Sequence, residues 1–122
     1  MAWMQKTISI SEKADLALAN IKDVLGFSND TDAYKFCFAL AVRFDIPEHL
    51  YPGASSTKWA IGSMDENAEL SDLIGSVCGK NADFNQELKR RAESGIFTVQ
   101  NLVEEQYLES IPEVLDYFLS KD

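Results

Sequence analysis

Residues 6–11, KTISIS, alternate small polar and apolar side chains, which is the period of one short strand. The period then lengthens. Ser11 is placed to cap a helix from about Glu12 to Leu25, with Ala14, Ala17, Leu18, Ile21 and Leu25 on one face and Gly26 as its stop. The turn FSNDTD offers Ser28, Asn29, Asp30 and Thr31 as caps for a second helix, about Asp32 to Phe44. That helix reads AYKFCFALAVRF and is apolar on nearly every side. On the surface of a small monomer it would leave a large exposed patch, so it is expected to bury against a second chain.

Periodicity dissolves between Asp45 and Gly62, where prolines, glycines and a Ser/Thr cluster mark a connector. Trp59 and Ile61 alternate with small residues there, as a short strand or as anchors pinning the loop to the core. A capping box, Ser63 to Glu66, opens a helix with Leu70, Leu73, Ile74, Val77 and Cys78 at helical spacing before Gly79. Another helix, about Asp83 to Ser94, carries Phe84, Leu88 and Ala92 and is expected to stop at Gly95. IFTVQNLVEEQYL reads either as a strand passing into a helix or as one helix with Ile96, Val99, Val103 and Tyr107 inward. A second capping box, Ser110 to Glu113 with Pro112 in the first turn, starts a last helix bearing Val114, Leu115, Phe118 and Leu119 on one face.

With 122 residues, 46% of them hydrophobic and 25% charged, the chain has the make-up of one ordinary globular domain. It contains no apolar run of membrane-spanning length and no signal-peptide layout at the N-terminus, so the expected compartment is the cytoplasm. The net charge of −9 is uneven: residues 1–51 hold five basic and seven acidic side chains, and residues 52–122 hold six and thirteen. No acidic residue precedes Glu12, which leaves the N-terminal strand neutral to slightly basic.

Candidate chemistry is sparse. Cys37 and Cys78 are isolated in apolar patterns and read as buried free thiols, and the single His49 has no partners at metal-ligand spacing. The acids Asp65, Glu66, Glu69 and Asp72 suit the N-terminal half of a helix, and NDTDAY lacks the glycine and closing Glu of a calcium loop. No phosphate-binding glycine loop, zinc-protease helix or nucleophile elbow is present. No enzyme activity, metal or cofactor is therefore expected. Lys89, Arg90 and Arg91 form the one dense basic run, with Lys58 in the Ser-rich loop, and read either as a solvated helix face balancing Glu87 and Glu93 or as a phosphate or partner patch.

The order strand, helix, Gly turn, apolar helix, carried by TISIS, Gly26, GFS and FCFALAV, resembles the ribbon-helix-helix family of small DNA-binding proteins of the Arc, MetJ and CopG type. The resemblance implies a mainly α fold with a dimer core of one short N-terminal strand and two helices per chain, here extended by C-terminal helices. It implies that Ile8, Ile10, Phe36, Phe38 and Leu40 form the dimer core. Gln5, Thr7 and Ser9 would then be the ribbon face entering the major groove, where Gln, Thr and Ser can bond base edges. Candidate phosphate contacts are Ser28, Asn29, Lys58, Lys89 and Arg90. The overall layout, through WAIGSMDENAEL and LKRRAESGIFTV, is also similar to DndE-type accessory proteins of DNA sulfur-modification systems, which implies an oligomeric, DNA-associated, non-catalytic subunit.

The expected organisation is a ribbon-helix-helix-like region over 1–46, a connector over 47–62 and a helical extension over 63–122, in one compact unit. The expected function is that of a DNA-associated accessory or regulatory protein. Expected partners are a second copy in a dimer or tetramer, double-stranded DNA and a larger protein, with no membrane. Asp30 and Asp32 favour the alternative, because carboxylates at a helix start occupy the amides that would hold phosphate. On that reading the chain is an acidic protein-interaction module that keeps the dimer fold without binding DNA.

Overall fold

The computed structural model describes residues 7–49, 51–60, 76 and 84–120. The elements described are β1 (Thr7–Ser11), α1 (Glu12–Leu25), α2 (Asp30–Arg43), β2 (Ser55–Ala60), α3 (Phe84–Glu105) and α4 (Ile111–Ser120), a mainly helical chain with a two-stranded sheet. The helix expected over 63–79 lies outside the described residues, as do Gln5, Lys6 and Ile61.

Strand alternation sets the faces of β1: Ile8 and Ile10 are buried, while Thr7 and Ser9 are half-buried on the other side. The partner differs from the expected twin strand. β1 pairs antiparallel with β2 of the same chain, Ile8 opposite Trp59 and Ser9 opposite Thr57. Lys58 is the extra residue of a bulge at this step, and bulges bend a strand and re-aim a side chain. Part of the connector is therefore strand, which gives the backbone of β1 hydrogen-bond partners inside its own chain.

Ser11 caps α1, and Gly26 ends it at φ 81, where its N–H and that of Phe27 both bond the Lys22 carbonyl at 3.0 Å. The buried face of α1 is the one its spacing predicts. Asn29 caps α2, its Oδ1 accepting the Asp32 N–H at 2.8 Å. The cover of α2 comes from its own chain, since α3 packs along it and encloses Tyr34, Cys37 and Phe38. Leu40 is also buried, and Phe36 is half-buried against Phe27, with ring centroids 5.2 Å apart.

α3 runs through Gly95 rather than stopping there. A Cβ at this position would run into the backbone of Cys37, so the glycine permits the α2–α3 approach. Residues 96–105 continue the helix with Ile96 and Val99 buried and Val103 half-buried, whereas Tyr107 lies beyond its end, exposed, at φ 56. α4 starts at the predicted box: Ser110 Oγ accepts the Glu113 N–H, and Glu113 Oε1 accepts from Ser110 Oγ and the Glu109 N–H. Val114 and Phe118 are buried as expected, but Leu119 is 53% exposed.

Candidate functional site

Ser11 is buried where β1 becomes α1, and its groups are used several times. Its Oγ accepts the Ala14 N–H at 3.3 Å and donates to Glu93 Oε1 at 2.9 Å, while its backbone N–H donates to Glu93 Oε2 at 2.9 Å. A backbone N–H has one direction, so at Ser11 the strand turns its donor from β2 to α3. Glu93 is fully buried, with Lys89 Nζ 3.4 Å away as counter-charge. Such a carboxylate is tolerated because it is both paired and hydrogen-bonded.

Two weak acids lie close by. Burial, and then the charge of Glu93, hold the Tyr34 phenol well above its ordinary range, and burial does the same to the Cys37 thiol. Cys37 is thus an inert thiol rather than a nucleophile. Tyr34 sets its ring against Trp59 at 5.0 Å, and its hydroxyl has no hydrogen-bond partner among the described residues.

The candidate phosphate contacts do not converge. Lys58 reaches Asp15 at 2.8 Å and Asp30 at 3.1 Å, and Asp30 also meets Lys22 at 3.6 Å. Partial burial lowers the Lys58 pKa, but the hydrogen bonds to Asp15 and Asp30 outweigh it and hold the ammonium above its ordinary value. Lys89 is turned to the Ser11–Glu93 junction. Arg90, the next residue, pairs with Glu48 and, at 2.8 Å, with Glu87. That hydrogen bond holds the Glu48 carboxyl below its usual range.

Arg90 fastens the loop after α2 onto α3, where His49 also donates its N–H to Ser94 Oγ at 2.8 Å and stacks on Phe97. Ser28 is exposed, and Asn29 is occupied as a cap. Of the expected dimer-core residues, Ile8, Ile10, Phe38 and Leu40 are buried within the chain itself, and Phe36 is half-buried. Thr7 and Ser9 keep their place on the outer strand face.

An apolar groove of about 480 Å³ runs between α2 and α4. Phe36, Ala39, Leu40 and Arg43 form one wall, closed by Phe44, while Ile111, Leu115 and Leu119 form the other. Phe44 stacks on Phe118 with centroids 5.1 Å apart, which sets the end of α2 level with the last turns of α4. The Arg43 guanidinium rests 4.9 Å from the centre of the Phe44 ring.

Sequence reasoning missed Glu93, read as a solvated charge, and it missed the groove. The available signals were the place of Glu93 three residues before the buried Ile96, and an α4 stripe too wide for one neighbour to cover. Among the described residues no three His, Cys, Asp or Glu side chains are placed to share a metal ion, and no helix is long and apolar enough to cross a membrane. No protein-family model, no curated protein and no solved structure matches the chain.

Proposed function

We propose that this chain is a non-catalytic protein-interaction module that does not bind DNA. The observation that carries this reading is that Lys58, Lys89 and Arg90, the cations a phosphate contact would need, are each engaged by carboxylates of the same chain. A phosphate set about 4 Å from Lys58 would stand at similar range from Asp15 and Asp30, each repelling it by about 1 kcal/mol even at the dielectric of water. The start of α2 is closed in the same way, its amides capped by Asn29 with Asp30 and Asp32 in the first turn. A net charge of −9 adds long-range repulsion from any nucleic acid.

The test is fluorescence anisotropy of a labelled random duplex titrated with the whole chain, at low salt and at physiological salt. No binding up to about 100 μM is expected, which lies at the weak end of ordinary non-specific DNA affinity. Micromolar binding at low salt, with a salt slope reduced by Lys89→Ala and Arg90→Ala, would overturn the reading and return the chain to the DNA-associated class.

A further inference from the structure

We propose that a pocket at the C-terminal end of α3 receives a basic side chain, arginine or lysine, presented by a partner protein. This deepens the interaction reading above and rests on it, by naming the chemical feature the partner must carry.

The pocket encloses about 410 Å³ and has three walls. Thr98, Asn101, Leu102 and Glu105 recur at i, i+3, i+4 and i+7, so they form one stripe along the last two turns of α3. Tyr117 and Phe118 of α4 make the second wall, and the chain leaving α2, through Phe44, Ile46 and Pro47, makes the third. Three buried or half-buried rings thus share the pocket with one carboxylate, that of the exposed Glu105.

That charge is uncompensated. Glu105 enters no ion pair or side-chain hydrogen bond among the described residues, and no Lys or Arg lines the pocket. Residues 92–120 contain six acidic side chains and no basic one. Both α1 and α2 place a cation in their last turn, Lys22 and Arg43, where it meets the negative end of the helix dipole; α3 has none and ends on Glu104 and Glu105. The neighbouring cavity of about 320 Å³, which shares Ile46 and Pro47, is the contrast, because its Arg90 and Arg91 already pair with Glu48 and Glu87. A basic side chain from outside would meet a carboxylate and a helix C-terminus with its head, while its aliphatic stem covers the apolar walls. Aromatic walls suit such a head as well as such a stem.

The experiment is two-dimensional amide NMR of the nitrogen-labelled whole chain, titrated with acetyl-Ala-Arg-Ala-amide, with its lysine counterpart and with the citrulline peptide, an uncharged isostere of the arginine one. The basic peptides should bind with a Kd of about 1–10 mM, the range for a single bound side chain, and shift the amides of Asn101, Leu102, Glu105 and Gln106. The citrulline peptide should bind at least about fivefold more weakly, and Glu105→Gln should weaken the basic peptides by a similar factor. Circular dichroism should be unchanged in that variant because Glu105 is exposed. The same charge change at Glu12, an exposed residue outside the pocket, should have no effect. No shift at about 20 mM peptide, equal binding of the citrulline peptide, or a Glu105→Gln variant no weaker than Glu12→Gln would overturn the proposal. So would n-butylguanidinium binding at least about tenfold more tightly than the arginine peptide, which would assign the pocket to a free small molecule. None of these results alters the DNA titration, so the pocket and the interaction reading fail separately.

Discussion

Gly95→Ala offers a test in which two physical effects have opposite signs. In an exposed helix interior the exchange stabilises by about 1 kcal/mol, since alanine loses less backbone entropy. At Gly95 the added Cβ would lie 2.7 Å from the carbonyl carbon of Cys37 and 3.3 Å from its Cα, closer still to the carbonyl oxygen. Those are backbone atoms in the middle of α2, so no side chain can swing aside, and α3 must retreat by roughly 1 Å. A gap of that width forfeits a quarter to a half of the dispersion contact along the seam, which involves Phe38, Leu88, Ala92, Ile96 and Val99. Overpacking and lost contact together cost about 2–4 kcal/mol, leaving a net loss of about 1–3 kcal/mol after the propensity gain. For a chain of this size the melting temperature should fall by about 4–12 °C.

Urea denaturation and thermal melts followed by circular dichroism measure both quantities. Gly26→Ala is the control, since it has open space around it but φ 81, and it should lose only about 1 kcal/mol through backbone strain. A Gly95→Ala variant as stable as wild type, or more so, would refute the close approach of α2 and α3.

Three further outcomes follow from the buried polar groups. Glu93→Ala strands the Ser11 N–H and the Lys89 ammonium and should cost about 3–5 kcal/mol, whereas Glu93→Gln, which keeps an acceptor and the shape, should cost about 1–2 kcal/mol; equal losses in urea titrations would show that charge and hydrogen bonding are not what that site requires. Tyr34→Phe removes a hydroxyl without a partner among the described residues and should leave stability unchanged or raise it by about 1 kcal/mol, while a loss larger than that would reveal a hydrogen bond. Because folding raises the Tyr34 and Cys37 pKa values, their contribution is complete below the ordinary values of 10.0 and 9.0 and declines as pH rises past them. Stability should therefore fall above pH 9, by up to about 1.4 kcal/mol per pH unit for each group, and Tyr34→Phe should flatten that decline.

Local rules were legible where one residue has one local job. Ser11 as a cap, Gly26 as a left-handed stop, the Ser110–Glu113 box and the alternation of Ile8 and Ile10 each read correctly, because backbone geometry within a few residues decides them. Gly95 was misread because glycine serves both helix ends and close packing, and only the facing Cys37 tells the two apart. β2 was legible only as one of two readings of Trp59 and Ile61, because the bulge at Lys58 interrupts the alternation of SSTKWA. The apolar surround of α2 signalled the need for cover but not that α3 of the same chain supplies much of it. Lys89 and Arg90 were identifiable as cations, yet whether a cation is free depends on carboxylates that approach in space, as Glu48 does from 42 residues away.

The bond between Ser11 and Glu93 spans 82 residues of chain. On the ribosome, the start of α1 therefore waits for α3 before its donors are met, and Tyr34, Cys37 and Phe38 wait for the same helix. Closing so long a loop before any of its contacts form is entropically slow. Nascent chains lacking α3 present an uncovered α2 to chaperones and proteases, and the contacts of α1 and α2 with α3 form only once residues 84–105 have been made.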